Sequence, residues 1–141
     1  MVTPLACGVK ESWQSLLAGN SGLGAITKFD VSDMPARVAG EVPVGDEANA
    51  FHVDDYIEPR LQRRMDLFIH FALAAADQAV RDAEWQPTEE EALERTGVLI
   101  GSGIGGLPAI EAAAITLHEK GPRRVSPFFI PSSLINLASG Q

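Results

Sequence analysis

An α/β fold is what this 141-residue sequence predicts, and three observations predict it. A short apolar run, Thr96 to Ile100, passes directly into a glycine-rich turn and then into a helical pattern opened by Pro108. That strand, turn and helix succession is the unit from which α/β sheets are built. A second, longer helical pattern follows Pro59. The composition, 45% apolar and 21% charged, is that of an ordinary globular protein, and the length suits one domain spanning residues 1–141.

Taken in order, Val9, Trp13, Leu16 and Leu17 recur at helical spacing, and Gly19-Asn20 supplies a stop, so a first helix of about ten residues is expected. Residues 20–57 are rich in Gly, Pro, Asp and Asn. They read as loop, with one alternating stretch from Arg37 to Val42 that could form an edge strand. Pro59 can open a helix, because its missing N–H costs nothing there. One long helix is expected to follow through Leu61, Met65, Phe68, Ile69, Ala72, Ala76, Ala79, Val80 and Ala83. With Leu67, Phe71 and Leu73 on its other side, its middle should be buried nearly all round. His70 lies in that stretch and reads as a core histidine with a backbone partner. Thr88 and Glu91 have capping-box spacing, which predicts a short exposed helix over Glu89–Arg95, its acidic run a solvated face.

The apolar run from Thr96 to Ile100 predicts a buried strand. The next helix places Ile110, Ala113, Ala114 and Leu117 on one face and is closed by Gly121 and Pro122. Ser126-Pro127-Phe128-Phe129-Ile130-Pro131 cannot be a central strand, because two prolines remove ladder donors. Ser132 or Ser133 is positioned to cap a last helix through Leu134, Ile135, Leu137 and Ala138.

Charge and composition exclude several functions. A formal charge of -8 argues against nucleic acid as a partner, since affinity for phosphates comes from clustered Lys and Arg. No apolar run approaches the roughly 20 residues of a membrane span, and Met1–Lys10 has no basic segment followed by an apolar core, so a cytoplasmic location is expected. The single Cys7 excludes an internal disulfide or a multi-cysteine zinc site and reads as a small buried or half-buried residue. Gly101, Gly103 and Gly106 satisfy G-x-G-x-x-G between strand and helix, the setting of a dinucleotide-binding turn. That reading needs a second parallel strand ending in an acidic residue, and the segment that follows is broken by proline. No Walker lysine follows either, which removes a P-loop. Ile104 stands alone as an apolar side chain among these glycines, where it can line or gate an apolar pocket.

The run Arg95-Thr96-Gly97-Val98-Leu99-Ile100-Gly101-Ser102-Gly103-Ile104-Gly105-Gly106-Leu107, followed by Gly121-Pro122-Arg123-Arg124-Val125-Ser126-Pro127-Phe128-Phe129-Ile130-Pro131, closely resembles the elongating β-ketoacyl-acyl carrier protein synthases. The likeness continues through Val2-Thr3-Pro4-Leu5, Ser21-Gly22, Phe29-Asp30 and Arg63-Arg64-Met65-Asp66, and so covers the chain. The resemblance implies a thiolase-like fold of two α/β halves, each with a mixed five-stranded sheet. This chain would be part of the amino-terminal half, incomplete at both ends. It also implies a decarboxylating Claisen condensation of an acyl thioester with malonyl-acyl carrier protein. A cysteine thiolate carries the acyl group and two histidines stabilise the enolate and oxyanion, without metal or organic cofactor. Those catalytic residues are expected downstream of Gln141, and Cys7, His52, His70 and His118 match none of their motifs. The family's usual first strand, ending Thr-Gly-Leu-Gly, would lie upstream of Met1. Without that pairing partner the chain alone is expected to be inactive and poorly stable.

The resemblance also assigns roles within the chain. Arg60, Arg63 and Arg64, at i, i+3 and i+4 after Pro59, would share one helical face and dock the acidic acyl carrier protein. Ile104 corresponds to a residue that lines the acyl pocket and moves aside for longer chains. Phe129 and Ile130 correspond to pocket residues contributed across the interface of a homodimer. Two other readings stand beside this one: a catalytically silent, chain-length-factor-type partner of a polyketide synthase, and a nucleotide-binding module.

Overall fold

The first residues are tied together by Thr3. Its Oγ1 donates to Ala6 O (3.1 Å), accepts from the amides of Leu5 and Ala6 (3.2 Å each) and lies 3.0 Å from Ser12 Oγ. The computed structural model describes residues 1–141 as two compact units, Met1–His52 and Val53–Gln141. In the first unit these bonds pin the loop that precedes helix α1 (Val9–Leu17), whose one buried residue is Ser12. The expected helix is present, yet Val9, Trp13, Leu16 and Leu17 all stay exposed. Gly19, at φ +74, ends it as the Gly-Asn signal predicts.

The expected edge strand forms as β2 (Val38–Gly40) and pairs antiparallel with β1 (Leu23–Ala25), in the register Leu23 to Gly40 and Ala25 to Val38. Its partner carried no strand signal in sequence. Gly22 and Gly40 pass so close to Pro4 that a Cβ on either would stand 2.9 and 2.8 Å from the proline ring carbons, a close approach that only glycine permits. Phe51 and Ala50 are buried in this unit, and the Phe51 amide donates to Pro43 O at 2.7 Å.

The second unit holds no strand. The single long helix expected from Pro59 is instead two: α2 (Pro59–Gln62) and α3 (Leu67–Asp82). Pro59 does open α2, but Asp66 adopts an extended conformation and its carboxylate takes the Leu67 amide at 2.6 Å. An aspartate that caps in this way competes with continuation of the preceding helix. The middle of α3 is half-buried rather than buried all round: no residue from Leu67 to Gln78 is exposed, but only Ile69 and Ala74 are fully buried. His70 finds its backbone partner, Nε2 lying 3.2 Å from Gln62 O.

Helix α4 (Glu90–Glu94) is short and largely exposed, as predicted, but the capping box is not formed: Glu89 takes the capping position without a side-chain bond. Acidic groups in the first turn already suit the helix dipole in solvent. The predicted strand Thr96–Ile100 is a second correction. The segment is irregular, with Val98 65% and Leu99 99% exposed. A buried parallel strand needs ladder partners, and the Val53–Gln141 unit supplies none.

Helix α5 (Leu107–Lys120) begins around Pro108 and stops at Gly121, φ +79. Of its expected apolar face only Ala113 turns inward, beside Ala109 and Thr116; Ile110, Ala114 and Leu117 are exposed. The inward side packs against the turn Pro122–Arg124 and helix α6 (Phe129–Ser133), where small side chains allow close approach. The proline-flanked segment is therefore helical, and not a strand, as its sequence requires. Neither Ser132 nor Ser133 caps a last helix. Their hydroxyls bond back to Phe129 O (2.9 Å) and Ile130 O (3.3 Å), the i−3 pattern open to serine within a helix. Ile135–Ala138 is a 3-10 turn that packs on α3, with Ala138 buried.

Candidate functional site

In the Val53–Gln141 unit, the corner between α2 and α3, the inward side of α5 and the segment after it enclose a cleft of about 460 Å³. Arg63, Asp66, Ala109, Thr116, Arg124 and Phe129 are among its lining residues. Arg63 terminates α2 and Arg124 closes the 3-10 turn at Pro122, so two short elements with abrupt ends bring the two guanidinium side chains to one opening. Arg64 lies with its guanidinium carbon 4.7 Å from the centroid of the Phe128 ring, within cation–π range.

The three predicted arginines therefore do not share a helical face, because α2 ends at Gln62. Arg63 lines the cleft, Arg64 covers Phe128, and Arg60 remains on α2 outside the cleft. The salt bridges of the chain, Arg81 to Asp77 (3.0 Å) and Arg95 to Glu91 (3.8 Å), are both i,i+4 pairs. They leave the arginines of this corner without a carboxylate partner. Positive charge is thus concentrated on one corner of an acidic protein. Both oxygens of Asp66 accept backbone amides, of Leu67 and of Ala109. The chemistry this cleft offers is recognition of anionic groups beside an aromatic ring.

The loop before α5 carries Ile104, which is 64% exposed; Ile130 is exposed as well and Phe129 is half-buried. Gly105 and Gly106 press this loop onto the end of α6. The Gly106 amide donates to Ser133 O at 3.0 Å, and a Cβ on Gly105 would stand 2.5 Å from the same oxygen. The elements bearing Ile104, Phe129 and Ile130 are therefore in backbone contact, while the cleft that includes Phe129 is lined by neither isoleucine.

Two residues of this corner carried no role in the sequence reading. Arg124 stood in a recognised run, and only the tertiary fold places it with Arg63. Asp66 shows a local cap signal, an aspartate just before an apolar helix, but its bond to Ala109, 43 residues away, has no local signature. Elsewhere, Cys7 is half-buried as expected and His52 Nε2 lies 3.2 Å from Glu47 O. Burial holds the His70 pKa below the ordinary 6.5, against opposing effects of the Gln62 carbonyl and the Asp66 carboxylate. No helix is long and apolar enough to cross a membrane.

Comparison with known proteins gives a consistent picture. The family model described as "Beta-ketoacyl synthase, N-terminal domain" matches residues 1–141. The 3-oxoacyl-[acyl-carrier-protein] synthase 2 of Rhizobium meliloti is 54% identical over 142 residues, covering 100% of this chain and 34% of that protein. The protein of the same name from Vibrio harveyi is 45% identical, over 99% of this chain and 32% of its own length. The chain thus spans about a third of the length of these relatives. Among solved structures, "The ishigamide ketosynthase/chain length factor" superposes with a TM-score of 0.73 over 97% of this chain and 32% of that one, at 24% identity. This likeness establishes the fold: the chain follows the path of the amino-terminal part of a thiolase-like ketosynthase.

Proposed function

Because the chain belongs to the β-ketoacyl synthase family, matching its amino-terminal domain from residue 1 to residue 141, we propose that it supplies the first third of a 3-oxoacyl-acyl carrier protein synthase acting in fatty acid elongation. In that reaction malonyl thioester loses carbon dioxide, and the enolate so formed attacks an acyl thioester, making a carbon–carbon bond and releasing a thiol. The nucleophilic cysteine and the two histidines would come from sequence beyond these residues, so this chain binds and orients and does not itself react. The observation that carries the reading is the match of the whole chain to one family domain.

Arg60, Arg63 and Arg64 would meet the acidic carrier protein, a role supported by guanidinium groups that no carboxylate of this chain neutralises. Arg124 joins them through the cleft it shares with Arg63. Ile104, Phe129 and Ile130 would line the acyl pocket, the last two across a homodimer interface. The exposure of Ile104 and Ile130 leaves them free to meet an acyl chain, each buried CH₂ of which contributes about 0.8 kcal/mol. The assembled enzyme would work in the cytoplasm.

The test is a chimera in which this chain replaces the matching first third of the Rhizobium meliloti synthase, to which it is 54% identical. The chimera is expected to condense acyl- and malonyl-carrier thioesters with kcat/KM within about tenfold of the parent, a difference of roughly 1.4 kcal/mol. The 141-residue chain alone should show no turnover. A chimera that folds and dimerises like the parent yet forms no 3-oxoacyl product would overturn the proposal.

A further inference from the structure

We infer that Asp66 is a positioning residue for the loop that carries Ile104, acting by capping two helices with one carboxylate. The inference rests on the reading of Ile104 as an acyl-pocket residue. The capping position of α5 is occupied by Gly106, which has no side chain to accept a bond from the first turn. A helix start leaves its first amides without intrahelical partners. The amide of Ala109, third residue of α5, is instead taken by Asp66 Oδ2 at 2.8 Å, while Asp66 Oδ1 takes the Leu67 amide of α3 at 2.6 Å. One carboxylate therefore joins the positive ends of two helices, where negative charge is favoured.

The fit leaves little freedom. A Cβ on Gly106 would lie 3.0 Å from Asp66 Oδ2 and 2.8 Å from both Ser132 O and Ser133 Cα. The glycine is what lets the carboxylate and the end of α6 close on the helix start from two sides. Ile104 lies two residues before Gly106, and Gly105 between them takes a φ of +81. Fixing the start of α5 thus fixes where the Ile104 side chain is presented.

The experiment uses the chimera with Asp66→Asn, which keeps one acceptor oxygen and turns an NH₂ toward the other helix, and with Asp66→Ser, which can cap α3 but is too short to reach Ala109. For each, kcat/KM is measured along a series of acyl chain lengths, with and without Ile104→Phe. The expected result is a change on the order of tenfold in the ratio of long-chain to short-chain kcat/KM, the scale of one methylene in an apolar pocket. The Ile104→Phe effect should shrink in the Asp66 variants because the side chain is no longer held in place. A uniform loss at all chain lengths, or effects of Asp66 and Ile104 that simply add, would overturn the inference and leave Asp66 a structural cap. If Ile104→Phe alone leaves the profile unchanged, the pocket reading fails instead. Should Asp66→Asn not fold, Asp66→Ser gives the decision. In the chimera, faster hydrogen exchange at the Ala109 amide in Asp66→Ser reports loss of the second cap directly.

Discussion

Replacing Gly106 by alanine puts a methyl group where the backbone of another helix already stands. The new Cβ would be 2.8 Å from Ser132 O and 2.8 Å from Ser133 Cα, whereas comfortable contact begins at roughly 3.5 Å. Backbone atoms cannot swing aside as a lysine tip can, so α6 must retreat from the loop. Overpacking of this kind costs about 1–3 kcal/mol. The retreat also stretches the 3.0 Å bond from the Gly106 amide to Ser133 O, worth about 1 kcal/mol. Against this, alanine restricts the unfolded chain and returns about 0.4–1 kcal/mol. The net expectation is a loss of about 2–3 kcal/mol. Urea unfolding followed through Trp85 in a Trp13→Phe background reads it from the Val53–Gln141 unit. Gly97→Ala is the comparison, because a Cβ there meets nothing within 4 Å. If the two alanine variants unfold at the same urea concentration with the same slope, the close contact of the loop with α6 is wrong.

Three further outcomes follow from the same structure. Ile69→Ala, at a fully buried position, should cost about 2–5 kcal/mol, while Leu99→Ala, at a side chain 99% exposed, should change stability by less than about 0.5 kcal/mol; equal losses in denaturant titration would contradict the irregular course of residues 96–100. His70 has a folded pKa below 6.5 because burial disfavours its charged form, so the unfolded chain binds more protons in that window. Stability should therefore be complete above about pH 6.5 and fall as pH drops through the folded pKa, a slope that His70→Gln should flatten in unfolding curves taken from pH 5 to 7. In the chimera, the triple change of Arg60, Arg63 and Arg64 to alanine should raise KM for the carrier protein and reduce its dependence on salt with kcat little altered; an unchanged KM would refute the docking role.

What the sequence disclosed and what it hid divide along a physical line. Signals that are local survived: Pro59 at a helix start, Gly19 and Gly121 at helix ends, the alternation around Val38 and the prolines that keep Ser126–Pro131 out of a sheet. Asp66 shows how a local signal is lost behind a stronger one, since unbroken apolar periodicity hid an aspartate able to end one helix and begin another. Strand formation is the opposite case. Val98, Leu99 and Ile100 have the side chains of a buried strand, but a strand exists only with partners to pair with, and the Val53–Gln141 unit has none. On α5 closeness and not hydrophobicity sets the inward face: Ala109, Ala113 and Thr116 pack because they are small. Of the residues singled out from the sequence, Arg63 and Phe129 line the cleft, whereas Arg60, Arg64, Ile104 and Ile130 do not. The joining of Arg63 to Arg124, and of Asp66 to Ala109, comes from contacts far apart in sequence.

From Thr96 to Ile110 there is no charged residue, and within that stretch Val98, Leu99, Ile104 and Leu107 are exposed while residues 96–102 lie outside any ladder. Such a segment is a template on which a second chain can lay down hydrogen bonds and apolar side chains together. What holds copies apart is the overall charge of -8, and that repulsion is long-ranged only while ions are scarce: its reach is about 30 Å at 0.01 M salt and about 3 Å at 1 M. The solubility of the chain should therefore depend on ionic strength in the sense opposite to salting-in. It is expected to stay dispersed in dilute buffer and to precipitate as salt is added, sulfate most strongly because it also favours burial of apolar surface.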